Sequence, residues 1–293
     1  MKNNYALIIV NHTMCNLRCN HCQGLNADKL DIVLKPPKKL PNRITLTELQ
    51  QVINFLKSKS YIGKNKIIDI RFGGNWCEPT LDSKLSTKIK YLLKNTNYNV
   101  QIQVISNGIN IPPGKYNENL IRKYLLINFG FVIFPKRFQL IISTDDEHLN
   151  SFIRRRRLEK NIPSRQTKEE YLDKISNLIY YAKIHNKIKN ISFNFIKSTN
   201  SPSNFEQITR RKFGIPDSFN VNILRKAIYT PQQETLLNAV NLERTSETPN
   251  NVDVCYFLVK RRGRIVIFPN IYSLGYNINA IPYKEFRFGS SKN

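Results

Sequence analysis

Short apolar runs that alternate with helical patterns constrain the fold of this chain more than any other feature. The runs 5–10, 67–72, 100–105, 138–142 and 191–196 have the length and residue types of buried strands. The intervening segments carry apolar residues at helical spacing, with capping boxes expected at 47–50 and 167–170. Repeated strand–helix units predict the α/β class, with parallel strands and outer helices. Because the units end near residue 200, a closed eight-stranded barrel of about 250 residues does not fit.

A strong positive charge suggests two kinds of surface. The chain of 293 residues has 46 Lys and Arg against 21 Asp and Glu, a formal net charge of +25. The charge is spread along the chain, with local peaks at 154–157 and 260–264. Either these are solvated surfaces, or they meet an anionic partner such as an acidic peptide or a nucleic acid. A nucleic acid is not favoured, because no aromatic-basic RNA-binding module is present.

The apolar segments are too short for membrane insertion. The longest, 124–134, is well under the roughly 20 residues that a spanning helix needs. The apolar stretch at the N-terminus is too short for a signal peptide. We therefore expect no membrane contact and a cytoplasmic location, where a disulfide between Cys77 and Cys255 is not expected.

Three cysteines follow the first strand in the spacing C-x3-C-x2-C: Cys15, Cys19 and Cys22. Three thiolates on one tight loop can hold three irons of a [4Fe–4S] cluster and leave the fourth iron open to a small molecule. A structural zinc site needs four ligands, and His21 could supply the fourth. Structural zinc cysteines usually come in paired C-x2-C knuckles, so the spacing favours the cluster.

The triplet resembles the signature of the radical S-adenosylmethionine (SAM) superfamily. The resemblance implies a partial (β/α)6 TIM barrel, a [4Fe–4S] cluster on the three cysteines, and SAM bound at the open iron. It also implies an external electron donor such as flavodoxin or ferredoxin. His21 stands before the last cysteine, where the family usually has an aromatic residue, and we count it among the cofactor-binding residues.

The segment after the second strand resembles the GGEP motif, which binds the SAM amino group in that superfamily. Gly73 and Gly74 match the glycines, but three residues separate them from Glu78. The resemblance implies either that Glu78 keeps its role through a bulged loop, or that the glycine carbonyls perform it. A glycine turn before a helix is the purely structural explanation.

Two polar features follow other strands. Ser106 and Asn107 open a turn that resembles the S/T-N-G element seating SAM, although Asn-Gly alone also predicts an ordinary turn. Asn194 is polar within the apolar fifth strand, so we expect it to point into the barrel. The resemblance implies that it faces the ribose of SAM.

The segment after the fourth strand resembles the S-x-D-x-x-H element of peptide-modifying radical SAM enzymes. Ser143 and Asp145 would then face the polar groups of SAM, and His148 would face the substrate cavity as a catalytic residue. His148 as a surface residue of a helix is an equally weighted alternative.

The C-terminal region predicts a β-hairpin, with a basic turn between 255–259 and 264–269. It resembles the opening of a SPASM or twitch domain, in which Cys255 and Gly263 match and Phe268 replaces the second cysteine. An auxiliary cluster is therefore not expected.

The resemblance predicts a barrel core at 1–200 and a C-terminal extension at 201–293 that covers the substrate. It predicts hydrogen abstraction from a peptide or protein, most of all epimerisation of a ribosomally made peptide. Cys255 is the expected hydrogen donor and Cys77 its competitor, while a buried packing thiol is the structural alternative for each. RNA modification and a non-catalytic zinc-binding protein are the other two hypotheses.

Overall fold

Strands and helices alternate along the chain. The computed structural model describes residues 5–12, 14–17, 19, 39–62, 67–73, 77–114, 116–160, 162–197, 201–225, 254–261 and 264–269. The strands are β1 Tyr5–Ile9, β2 Ile67–Phe72, β3 Gln101–Ser106, β4 Phe138–Ser143, β5 Ile191–Lys197, β6 Asn220–Arg225, β7 Val254–Arg261 and β8 Arg264–Pro269. The helices are α1 Leu46–Ser58, α2 Leu85–Asn95, α3 Glu118–Phe129, α4 Asp146–Lys160, α5 Ser164–Ile184 and α6 Phe205–Phe213.

All eight strands form one sheet in the order β6-β5-β4-β3-β2-β1-β7-β8. Strands β1 to β6 are parallel and lie side by side in chain order, so the predicted α/β class is confirmed. The predicted hairpin is also present: β7 and β8 are antiparallel, and β7 joins the sheet parallel to β1. A sheet whose strands follow in chain order is compatible with a partial barrel.

The helices share one face of the sheet. Crossovers between parallel strands are right-handed as a rule, so a sequential strand order sends every helix to the same side. There α1 packs against α2, α2 against α3, α3 and α4 against α5, and α5 against α6. One apolar cluster joins helix residues such as Val52 to strand residues such as Leu7 and Phe72. This face is the hydrophobic core.

The opposite face of the sheet, here called the inner face, is defined by Ile8, Arg71, Gln103, Ile141 and Ser192. These residues alternate with the core residues along their strands and lie outside the apolar cluster, yet all of them are buried. Three of the five are polar. The sheet therefore has one apolar face under the helices and one buried face that is largely polar.

The two predicted capping boxes are wrong. Thr45, not Thr47, caps α1: its hydroxyl accepts from the Glu48 amide, and the Glu48 carboxylate accepts from the Thr45 amide at 2.7 Å. Helix α5 begins at Ser164, directly after Pro163, so Thr167 lies inside the first turn. There its hydroxyl donates to the Pro163 carbonyl, which satisfies the hydroxyl without a cap.

The parallel units extend beyond residue 200, where the sequence predicted that they end. Helix α6 is capped after Phe213 by Gly214, which adopts the left-handed conformation at φ +64°. Strand β6 then pairs in parallel with β5 through six residues. Asn220 and Asn222 interrupt its short apolar run, and prolines lie on either side, so the sequence did not reveal it. Among the described residues, no helix is long and apolar enough to cross a membrane.

Candidate functional site

The loops after β1, β2, β3 and β4 all leave the same edge of the sheet, because parallel strands share one direction. In such folds this carboxyl edge carries the chemistry. Most of the residues singled out from the sequence lie in these loops. The contacts between the loops decide which of those residues come together.

The cysteine loop is held through Cys15 and Asn16. Cys15 is partly exposed, and its Sγ accepts from the Leu17 amide at 3.4 Å and from Asn107 Nδ2 at 3.5 Å. Asn107 Nδ2 also donates to Asn16 Oδ1 at 2.8 Å. Donors aimed at sulfur favour the thiolate, which is the form that binds metal. Cys19 is buried nearby in the chain, while His21 and Cys22 lie outside the described residues.

Glu78 links the loops after β2 and β3. Its carboxylate is buried and accepts from Ser106 Oγ at 2.8 Å, the Asn107 amide at 2.8 Å, and both the amide and hydroxyl of Thr80. Burial raises the pKa of Glu78, and these donors act in the opposite direction. Three of the four donors reach Oε1, and the Asn107 amide reaches Oε2. Glu78 therefore fixes the relative position of two loops, whatever else it binds.

Gly73 has a steric reason to be glycine. Its φ is +102°, and a Cβ there would lie 2.4 Å from the carbonyl oxygen of Ile105. Any side chain would push β2 away from β3 at the carboxyl edge. Gly74 lies outside the described residues, so its expected contact with SAM stays a prediction.

The element after β4 forms the start of α4. Asp145 is buried, and its Oδ1 accepts from the Glu147 and His148 amides, as an N-cap does. His148 Nδ1 lies 3.0 Å from the same oxygen. Burial lowers the pKa of His148, but the carboxylates of Asp145, Glu147 and Glu78 together outweigh burial, so the pKa is raised overall. His148 is buried, so the alternative of an exposed helix residue is wrong.

Ser143 and Asn194 are neighbours at the carboxyl edge. They are paired in the register of β4 with β5, and Ser143 is half-buried whereas Asn194 is buried. The Asn194 side-chain oxygen accepts from Asn222 Nδ2 on β6 at 2.9 Å. The side chain of Asn194 thus bridges to the strand that the sequence did not predict.

The two cysteines proposed as hydrogen donors lie at different heights relative to the sheet. Cys77 is buried in the loop after β2, at the carboxyl edge, just before Glu78. Cys255 is the second residue of β7 and pairs with Ala6, the second residue of β1, near the amino edge of the parallel strands. Their roles stay predictions.

A buried arginine in α4 was not singled out from the sequence. Arg155 Nη1 donates to the Asn16 carbonyl at 2.8 Å, and Nε donates to Glu159 at 2.8 Å. The contact spans 139 positions of chain and reaches the backbone between Cys15 and Cys19. Helical spacing could have indicated its burial, because His148, Phe152 and Arg155 follow one another at intervals of four and three residues and so share one face of α4.

A second missed group lies below the cysteine loop. Lys88 Nζ donates to Asp82 Oδ2 at 2.6 Å and to Asn11, whose own Nδ2 donates to Asp82 at 2.8 Å. Both side chains of the ion pair are buried. His12 is next to Asn11, and its Nδ1 accepts from the Met14 amide at 3.2 Å. This group anchors the chain where it leaves β1.

The basic run 154–157 is largely neutralised within the chain. Three of its arginines form ion pairs with acidic side chains, namely Arg154 with Glu147, Arg155 with Glu159, and Arg156 with Glu159 and Glu170. In the second basic run, Lys260 pairs with Glu48 at 2.7 Å. These pairs favour structural roles over an anionic partner at these positions.

No family model matches the chain, and no curated protein is similar to it at a significant level. Within the part of the chain that the structure describes, no three His, Cys, Asp or Glu side chains are grouped to hold a metal ion. Both of the predicted ligand sets, for a cluster or for zinc, include residues beyond that part. The contacts described above carry the functional argument.

Proposed function

We propose that this protein is a radical SAM enzyme of the partial-barrel type that abstracts a hydrogen atom from a peptide. The observation that supports it most is that the segments resembling radical SAM motifs are joined to one another by hydrogen bonds beside Cys15. Asn107 of the S-N-G turn donates to Cys15 Sγ, and Glu78 of the GGEP-like loop accepts from Ser106 and Asn107. The Glu78 amide also donates to the Met14 carbonyl at 2.9 Å, so the three loops are joined by hydrogen bonds beside Cys15.

The donor set suits a [4Fe–4S] cluster. Cys15, Cys19 and Cys22 would hold three irons, since the spacing supplies three thiolates on one loop. Two N–H donors on Cys15 Sγ support this, because hydrogen bonds to sulfur stabilise the thiolate and tune a cluster. A zinc site would instead need His21 as a fourth ligand.

The residues that would hold SAM lie along the carboxyl edge. Ser143 and Asn194 present polar side chains on adjacent strands. The backbone carbonyls of Gly73 and Gly74 would bind the amino group. Glu78 would act mainly by fixing the loops, since its carboxylate already has four donors. The chemistry that a reduced cluster with bound SAM supplies is removal of a hydrogen atom from an unactivated C–H bond.

Epimerisation requires a second hydrogen atom from the opposite face of the substrate carbon. The S–H bond of Cys255, or of Cys77 in competition, would break as the new C–H bond forms. One electron from a flavodoxin or ferredoxin, with one proton from water, would restore the thiol. His148 lies beside Asp145 at the same edge and would contact the peptide.

The test is a reaction in D2O with candidate precursor peptides. Epimerisation should raise the peptide mass by one deuterium, and Cys255→Ala should still cleave SAM without inverting the residue. Cys77→Ala is the matched variant and should invert normally. A product lighter by two hydrogens would identify a crosslink and end the epimerase assignment, and absence of SAM cleavage would end the proposal itself.

A further inference from the structure

Two buried polar atoms on the inner face have no hydrogen-bond partner among the described residues. They are Nε of Arg71, on β2, and Oε1 of Gln103, on β3. Both residues are more than nine-tenths buried, at 8% and 5% exposure. A buried polar group without a partner destabilises the folded chain, so two of them on adjacent strands need an explanation.

The two residues are neighbours in the sheet. Arg71 and Gln103 are paired in the register of β2 with β3, where strands lie about 4.8 Å apart. Other polar groups of the pair have partners within the chain. Arg71 Nη2 donates to Asp69 at 3.4 Å, and Gln103 Nε2 donates to Gln139 at 3.0 Å. Within the described part of the chain, Arg71 Nε is therefore a buried donor, and Gln103 Oε1 on the adjacent strand a buried acceptor, without a partner.

The charges around the pair exclude ionic ligands. Asp69 and Arg71 form a neutral pair, so the inner face offers no net charge at this point. A carboxylate would place an oxygen against Gln103 Oε1, and an ammonium group would lie against the guanidinium. The ligand must be neutral and must accept one hydrogen bond and donate another.

A primary carboxamide has this pattern, since its C=O and one N–H point to the same side. A backbone trans amide does not, because its C=O and N–H point in opposite directions. We propose that Arg71 and Gln103 bind the side-chain carboxamide of an asparagine or glutamine in the substrate. This inference rests on the proposed function, in which the substrate is a peptide.

The pair lies below the carboxyl edge of the sheet. Arg71 is on β2, two residues before Gly73, which places it about 7 Å below that edge. The substrate backbone would therefore have to pass the edge for its side-chain carboxamide to meet the pair. Gln139, which accepts from Gln103, donates in turn to Ser192 Oγ at 3.2 Å. This chain of hydrogen bonds across three strands holds the Gln103 side chain in place.

The experiment titrates the full-length chain, reconstituted without oxygen, with three blocked amino acids by saturation-transfer NMR. The probes are N-acetyl-asparagine methylamide and its leucine and aspartate counterparts. The asparagine probe should bind about tenfold more tightly than either of the others, since each lacks a required hydrogen bond. Equal affinities, or no binding by any probe, would overturn the proposal and indicate a bound water instead.

Variants separate recognition from folding. Arg71→Lys keeps the charge beside Asp69 but removes Nε, and Gln103→Met removes Oε1; each should abolish the preference for asparagine. Gln101→Met is the matched control, since Gln101 is on the same face of the same strand, two residues earlier. A preference that survives in either test variant would overturn the assignment of that residue.

Iron content and SAM cleavage are measured on the same samples. A wild-type chain that cleaves SAM but shows no carboxamide preference refutes this inference alone. A chain that prefers the carboxamide but assembles no cluster refutes the proposed function and leaves the binding site.

Discussion

Lys88→Met should be among the most destabilising substitutions in the chain. It removes the cation from a buried ion pair in which neither side chain reaches solvent, and leaves Asp82 charged beside Asn11. Breaking a buried pair in this way costs about 3–5 kcal/mol. Arg43 Nη1 remains 3.8 Å from Asp82, which places the expected loss near 3 kcal/mol.

The assay is thermal unfolding of the wild-type chain and three variants. A loss of about 3 kcal/mol corresponds to a melting temperature lower by roughly 6–12 °C. Arg165→Met, which breaks an ion pair whose arginine is exposed, is the control and should change stability by less than about 0.5 kcal/mol. Asp82→Asn with Lys88→Met should recover part of the loss, because no charge is then buried. If Lys88→Met costs no more than Arg165→Met, the buried ion pair is not what anchors the end of β1.

Two further predictions concern the same region. Arg155→Gln removes a charge-assisted hydrogen bond to the Asn16 carbonyl, which holds the cysteine loop. A chelator should therefore remove iron from the reconstituted Arg155→Gln variant about tenfold faster than from the control variant Arg157→Gln. Equal rates would show that Arg155 does not hold the loop. Burial lowers the pKa of His12 from 6.5 to about 4, so the unfolded chain binds a proton that the folded chain excludes. Stability should therefore fall by about 2–3 kcal/mol between pH 6.5 and 4.5, and His12→Gln should flatten this slope in urea unfolding; an unchanged slope would contradict the pKa.

The sheet could be predicted because each of its first five strands is a short apolar run between helical patterns. β2 and β4 begin at the expected residues, since their alternating core positions define the strand directly. Strand β6 was missed because Asn220 and Asn222 interrupt its short apolar run and prolines lie on both sides of it. Its place became evident only through its pairing with β5.

The loops of the candidate site could be predicted from motifs, but their mutual contacts could not. Arg155 and Lys88 sit on helices whose charged composition suggests solvent exposure, and their partners lie 139 and 77 positions away. Arg71 and Gln103 appear in the sequence as polar interruptions of apolar strands. Only the register of β2 with β3 makes them neighbours on a buried face.

The radical SAM proposal is tested by anaerobic reconstitution with iron and sulfide, followed by reduction in the presence of SAM. We expect about four irons per chain and cleavage of SAM to methionine and 5′-deoxyadenosine, with both lost in Cys15→Ala, Cys19→Ala and Cys22→Ala. Iron near eight per chain would reveal an auxiliary cluster and contradict the interpretation of the hairpin. One tightly bound zinc, with neither iron nor SAM cleavage, would refute the radical SAM proposal.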